Sequence, residues 1–521
     1  MSGIVIAIVI VALVAKFWLI PAVAKKQINR RLAGFWDGPA EVEKIEFNYF
    51  TPTALKNITF RDNSQRNWLR IDTLKVTIGN WLQFSPKVKD LEVGKLEILA
   101  YLTDGQLALP LKPPPERPDA NLADYLDLQK VVIHDASISV QDRAGSKMIY
   151  DRLRFSAVRN RQTYEISLVQ HSPQSPEKLS VTGSVDPNFK TNLLFETNQN
   201  FQKPETDIIF AMLNVPQVYH AEGSLTADFT INGPLKDPAA LRPKGIVNLD
   251  QWTVFLEDRQ VAKKLNVLIN ADETSYIVER LEAMVGEGYI EGSFYADNKR
   301  PEPIEFGGQI AAEKIDLPLL AGVLGSEKKI ARGVMAFRYH FSANEKDLQS
   351  MRGQGLILLN DTSMTALPVS PKIFRFIGLK GPDTLQTSDA AAIFTVSGPT
   401  VIIERARLAA ALGAVRAEPG GTVNLQTGNL DFYVVAVPLS QIEELFEALP
   451  LAQALVKLKS RLSRLHIKGH WSQPPAKLIT KEPLEDIREG TFAFLQDLVK
   501  TEGQFDDATY KRFRESFQTS E

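Results

Sequence analysis

From residue 69 onward, apolar and polar positions alternate along the chain with a period of two. The segments LRIDTLKVTI (69 to 78), LEVGKLEILAYL (91 to 102) and VVIHDASISV (131 to 140) show it first, broken by Asp, Asn, Gly and Pro. Successive strand side chains point to opposite faces, so this pattern predicts strands. GSLTADFTING places Leu225, Ala227, Phe229 and Ile231 on one face, with Thr226, Asp228 and Thr230 on the other. KLNVLINA does the same with Leu265, Val267 and Ile269, GVMAFRYHF with Met335, Phe337, Tyr339 and Phe341, and GNLDFYVVAV with Leu430, Phe432, Val434 and Ala436. A sheet with one apolar and one wet face follows. Turn signals recur at NGPLKDP (232 to 238), LNDTSM (359 to 364), SGPT (397 to 400) and EPGG (418 to 421), where Gly, Asn and Pro supply the required backbone angles. Antiparallel meanders are the simplest product. LKPPPERP (111 to 118) lacks the donors of a central strand and reads as a linker or boundary.

A helical period appears in quantity only late. LSQIEELFEALPLAQALVKLKSRL (439 to 462) carries Ile442, Leu445, Phe446 and Leu449, then Leu455, Val456 and Leu458 beyond Pro450, which predicts a kinked amphipathic pair. The strand LHIKGHW follows, and from Pro483 a further helical pattern runs through Ile487, Phe494, Leu495 and Leu498.

The chain begins with a different pattern. GIVIAIVIVALVAKFWLIPAVA (3 to 24) is apolar apart from Lys16, and about 22 residues of helix cover the roughly 30 Å of bilayer hydrocarbon. The run reads as a retained transmembrane anchor, with Trp18 at the interface. A cleaved signal is the competing reading, since Ala22-Val23-Ala24 resembles a processing site, but no basic segment precedes the run. Lys25, Lys26, Arg30 and Arg31 follow directly, so charge leaves the orientation open. Ile28, Leu32 and Phe35 then suit a short amphipathic helix at the membrane surface.

Composition narrows the chemistry. A net charge of −2 removes the basic excess expected of a nucleic-acid partner, and zero cysteines exclude disulfides, thiolate metal sites and Cys nucleophiles. His466 and His470 are four apart in HIKGH without a third ligand, and surface or turn roles suit them. SPEK (175 to 178) and SEKK (326 to 329) match S-x-x-K without its companion motifs, and GEGYIEG (286 to 292) and RGQG (352 to 355) lack the context of a nucleotide site. No catalytic, metal or cofactor-binding residue is assigned, and the chain reads as a non-enzyme. SPKIFRFIGLKG (370 to 381) is the most membrane-like segment after the anchor, with a core element as its alternative.

In order, these pieces resemble the AsmA-like family, which includes TamB and its relatives: inner-membrane-anchored envelope proteins of bacteria with two membranes. The anchor ending LIPAVAKKQINRRL comes first, then VEKIEFNYFTPTALKNITFRD, LEVGKLEILAYL and VVIHDASISVQD. GSLTADFTINGPLKDPAALRPKGIVNLD, MRGQGLILLNDTSMTALPVSPKIFRFIGL, GGTVNLQTGNLDFYVVAVPL and LHIKGHWSQPPAKLI follow. The resemblance implies a long, twisted, taco-shaped sheet whose concave apolar face holds acyl chains and passes lipid between membranes. It implies a single-pass inner-membrane protein with the bulk of the chain in the periplasm, and no catalytic site. The basic residues just after the anchor depart from the arrangement this placement requires.

The expected fold is mainly β: a long twisted antiparallel sheet curved into an apolar groove, with an N-terminal transmembrane helix and amphipathic helices near the C-terminus. At roughly 12 residues per strand and turn, there would be about 30 strands, reaching roughly 140 Å if the sheet stays single. The expected divisions are 1–24 for the anchor, 25–115 for an N-terminal β module, 116–345 for middle groove repeats, 346–480 for a C-terminal β region with amphipathic helices, and 481–521 for a helical polar tail. The groove candidates are Leu225, Ala227, Phe229, Ile231, Leu265, Val267, Ile269, Met335, Phe337, Tyr339, Leu430, Phe432 and Val434. The expected partners are phospholipid acyl chains, the inner membrane through residues 3–24, and the outer membrane or an envelope protein. Two alternatives stand beside this. A stack of ordinary β-sandwiches would bury the same stripes, and a periplasmic scaffold for assembling outer-membrane proteins or a secretion apparatus would need no lipid.

Overall fold

The structure is a computed structural model. It describes residues 25–26, 28–29, 32, 36–46, 52–79, 87–103, 106–107, 126–143, 145–170, 178–186, 188–213, 215, 218–235, 237, 240–257, 259–298, 303–323, 333–345, 347–360, 387–410, 413–438, 463–473 and 475–482. The anchor run, the proline-rich stretch and the segments 370–381, 439–462 and 483–521 lie outside the described residues. No helix among the described residues is long and apolar enough to cross a membrane.

The chain is mainly β, and its contacts divide it into two units, Met1–Tyr276 and Ile277–Glu521. The expected 345/346 limit falls in the tight turn joining two paired strands of the second unit.

In the first unit the strands are β1 (Ala40–Glu46), β2 (Thr53–Arg61), β3 (Asn67–Gly79), β4 (Lys87–Thr103), β5 (Gln106–Leu107), β6 (Leu126–Gln141), β7 (Lys147–Asn160), β8 (Thr163–Gln170), β9 (Lys178–Val185), β10 (Lys190–Phe201), β11 (Tyr219–Pro234), β12 (Arg242–Leu256) and β13 (Arg259–Asp272). The described pairings are antiparallel between sequence neighbours, and beyond the short hairpin β4–β5 the chain returns so that β4 and β6 run parallel, Leu96 opposite Ala136 and Ile98 opposite Ile138. The expected antiparallel sheet is thus present, with this single parallel pair among the described pairings. A parallel return needs a crossover of a dozen or more residues, and 104–125 supplies it. Because the strands flanking the proline-rich stretch pair directly, that stretch is a connection inside one unit.

The strands bend at bulges. Ordinary residues take left-handed backbone at Arg152 in β7, Gln251 in β12 and Lys264 in β13, where the register slips by one. An extra residue on one strand bends it and sharpens its twist.

A helix that the alternating pattern concealed, α1 (Lys203–Met212), lies between β10 and β11. A capping box at Gln202 and Glu205 starts it, with proline at its second position. On a flat sheet β6 and β11 would stand about 24 Å apart, twice a helix diameter. Yet the Thr206 hydroxyl donates to the Ala221 carbonyl on β11 at 2.6 Å, while Ile208, two residues on, is fully buried in the cluster built on β1 to β6. The sheet therefore curls around α1 with its apolar face inward.

That cluster contains Trp36, Val42, Phe60, Trp68, Leu102 and Val140, with Ile28 and Leu32 packed against it. The first apolar turn after the anchor run thus faces protein rather than bilayer. Asn29 and Lys25 hold the outer edge of β1, Asn29 Oδ1 accepting from the Val42 amide at 3.0 Å and Lys25 Nζ donating to the Glu43 carbonyl at 2.9 Å. Covering an edge strand removes a template for unwanted pairing.

Strand β14 (Ser275–Val285) spans the division between the units. The second unit then holds β15 (Gly288–Asp297), β16 (Glu305–Asp316), β17 (Val334–Asn344), β18 (Asp347–Asn360), β19 (Thr387–Ser397), β20 (Thr400–Ala410), β21 (Gly413–Ala417), β22 (Gly421–Asn424), β23 (Asn429–Pro438), β24 (Ser463–His470) and β25 (Ile479–Glu482). From β15 on, its described pairings are antiparallel. Short helices α2 (Leu317–Val323) and α3 (Pro475–Leu478) lie at strand ends. A second cluster, including Val415, Leu430, Val434, Leu465, Ile467 and Leu478, closes β20 to β25.

Candidate functional site

Register decides whether the predicted stripes meet. In the first unit Leu225 and Ala227 on β11 lie opposite Leu249 and Val247 on β12, which lie opposite Val267 and Ile269 on β13. Phe229 faces Phe195 on β10, Ile231 faces Leu193, and Leu265 sits opposite Trp252. One row runs unbroken across β7 to β13 as Phe155, Leu168, Val181, Phe195, Phe229, Gly245 and Ala271. Seven candidates from two distant sequence segments therefore share one face.

The second unit repeats the arrangement. Met335, Phe337 and Tyr339 on β17 lie opposite Leu359, Ile357 and Gly355 on β18. From Phe337 a row continues through Ile357, Ala392, Ala406, Ala417, Val434 and Leu465, across seven strands to β24. Leu430 and Phe432 flank that row on β23.

Burial separates the candidates into two groups. Leu225, Phe229, Ile231, Leu265, Ile269, Met335, Phe337 and Tyr339 are half-buried, with Ala227 and Val267 tucked deeper between them. Leu430 and Val434, and the half-buried Phe432, belong instead to the closed second cluster, where Leu465 and Ile467 show 0% exposure.

Aromatic rings lie flat on this face over glycines of the next strand. A Cβ placed on Gly355 would come within 2.3 Å of the Phe394 ring, and one on Gly223 within 2.4 Å of the Trp252 ring. Phe195 and Phe229 stand 4.9 Å apart, and Tyr339 stacks on Phe341 at 5.5 Å. The face is smooth and apolar, with no charged side chain in either seven-strand row.

The opposite face is mixed, with polar residues beside the exposed Val158, Leu194 and Ile246. Ser156, Ser167, Thr182 and Leu194 form the corresponding row in the first unit, within a concavity of about 550 Å³ that also touches Glu165 and Asn192. That hollow is open and mixes hydroxyls with Val158, Ile166 and Leu194, and it touches none of the candidate residues. On the polar side of β23 and β24, His466 Nε2 meets Asp431 at 2.7 Å and its ring stacks on Tyr433 at 4.1 Å. Arg464 reaches Glu418 through two bonds of 2.8 and 2.7 Å. His466 and the nearby Lys468 hold the Asp431 carboxyl below the usual carboxylate range. His470 bonds Ser472 instead, so the i, i+4 pair is not brought onto one ligand.

Sequence reading overlooked an internal repeat. Gly223, Asp237, Arg242 and Gly245 recur as Gly333, Asp347, Arg352 and Gly355, each 110 residues later without a gap. The structures correspond: β10, α1, β11 and β12 match β16, α2, β17 and β18 in order, and Arg242 and Arg352 each donate to the carbonyl of the preceding residue. The candidates Leu225, Ala227 and Phe229 are thereby equivalent to Met335, Phe337 and Tyr339. The signal was present in the R-x-x-G spacing. Comparison with protein-family models, curated proteins and solved structures returned no match.

Proposed function

We propose that this chain is a membrane-anchored lipid-groove protein of AsmA-like type, which holds phospholipid acyl chains on the apolar sheet face and assists their movement across a two-membrane envelope. The observation that carries the reading is the register: within each unit, stripes on successive strands align into an apolar face without charged side chains in its central row, half-buried over β7 to β13 in the first unit and over β15 to β19 in the second. Burying hydrocarbon there is worth about 0.8 kcal/mol per methylene, and such contacts slide without breaking a specific bond. The curl of the first unit around α1 supports a trough. The anchor at 1–24, the amphipathic segments near the C-terminus and the periplasmic placement belong to the same proposal.

The test is to purify the full chain gently and weigh what it carries by mass spectrometry. Glycerophospholipid should be present, and Phe229→Asp should deplete it while the chain stays folded. Phe432→Asp, packed on the closed cluster, should instead unfold its region. A wild-type chain free of lipid would leave the scaffold reading.

A further inference from the structure

The equivalent positions Phe229 and Tyr339 differ by one hydroxyl, and that hydroxyl is out of place. Tyr339 Oη is shielded from water yet has no hydrogen-bond partner among the described residues. Its ring is half-buried between Phe337, Phe341 and Phe394, at centroid distances of 6.1, 5.5 and 6.1 Å. Burial pushes its pKa up, as expected of a phenol held neutral. An unpaired buried hydroxyl is costly, and the first module avoids it with phenylalanine.

Room for the hydroxyl is made on the neighbouring strand. A Cβ on Gly353 would fall 2.5 Å from Tyr339 Oη and 2.9 Å from the His340 carbonyl oxygen, so glycine here leaves the hydroxyl its space. The residue equivalent to Gly353 in the first module is Pro243, beside Phe229's strand. Tyrosine with glycine in one module and phenylalanine with proline in the other is a matched exchange. The second module keeps a polar donor, and the space for it, in the middle of an apolar face.

We infer that Tyr339 is a ligand-binding residue whose hydroxyl donates a hydrogen bond to the ester carbonyl of an acyl lipid lying on the β17–β18 face. This rests on the lipid reading above and adds a chemical preference to it. An incoming ester displaces whatever side chain now screens the oxygen, and the new bond satisfies a donor that has no partner among the described residues. The first module, with Phe229, holds hydrocarbon without this preference.

The test compares a diester glycerophospholipid with the diether of the same chains and head group, competing for the full-length protein in detergent, with occupancy read by native mass spectrometry. The wild-type chain should favour the diester by about three- to tenfold, the range of one net hydrogen bond. Tyr339→Phe should bind both alike, and its lipid-free form should melt higher because an unpaired polar group is gone. Equal binding by the wild type, or a preference that survives in Tyr339→Phe, would overturn the inference while leaving the groove intact. Retention of neither lipid by the wild type would remove the groove reading and this one with it.

Discussion

The two repeated modules share an order of elements and a strand register, and differ in their side chains and in the local backbone at equivalent glycines. In the first, Leu225, Ala227, Phe229 and Ile231 line β11, and in the second Met335, Phe337, Tyr339 and Phe341 take the same places on β17. The bulkier set is matched by glycines alongside: Gly308 next to Phe294 and Phe341, Gly353 beside Tyr339 and Gly355 beneath Phe394. Volume is exchanged between strands rather than along them. The lesson is that the packing unit of this sheet is the cross-strand pair, which keeps the face level while the residues change.

The largest expected break of this symmetry is at the first glycine of the equivalent pair. Gly245 has φ +144°, and a Cβ there would lie 2.2 Å from the Asp228 carbonyl oxygen, so Gly245→Val meets backbone that cannot yield. A loss of more than about 3 kcal/mol is expected by denaturant unfolding, with no rescue from trimming Phe229. Gly355→Val should cost less, about 1–3 kcal/mol, because its nearest obstacle is the Phe394 ring, and Phe394→Ala in the double variant should recover part of it. Equal costs and equal rescue would show that the modules are not built differently at this point.

Attachment of the helices should differ next. Thr206→Val removes the hydroxyl that ties α1 to β11 and should cost about 1 kcal/mol, with faster amide exchange in α1. The second module ties α2 to β17 through the Leu317 amide and the Gly333 carbonyl at 3.0 Å, a link no side-chain exchange removes.

The smallest effect belongs to the polar side. The Asp431 carboxyl is held low by His466 and Lys468, so its contribution is present above about pH 4 and is lost as pH falls through the lowered folded value. Asp431→Asn should flatten the acid limb of the stability curve slightly and leave neutral stability nearly unchanged. The Asp431 carboxylate is well exposed, so salt should mask most of the difference.

Much of the fold was legible because side-chain alternation is a local property of a strand. LRIDTLKVTI and VVIHDASISV fall within β3 and β6, and GVMAFRYHF without its first residue and LHIKGHW without its last fall within β17 and β24. The helix α1 was missed because Ile208, Ile209, Phe210, Ala211 and Met212 form a continuous apolar run, which carries no clear period. The parallel pairing of β4 and β6 was missed because direction depends on where a long connection returns, and composition does not encode that.

By itself the sequence determined which residues share a face along each stretch of strand between bulges, since period two follows from backbone geometry alone. Only the tertiary structure decided which strands stand side by side, and so whether Leu225 and Val267 or Phe337 and Leu465 belong to one surface. It also decided that Phe229 is half-buried whereas Val434 is enclosed. The physical reason is that burial depends on what lies across the face of a sheet, which is set by curvature, bulges and the placing of a helix rather than by the alternation within any strand.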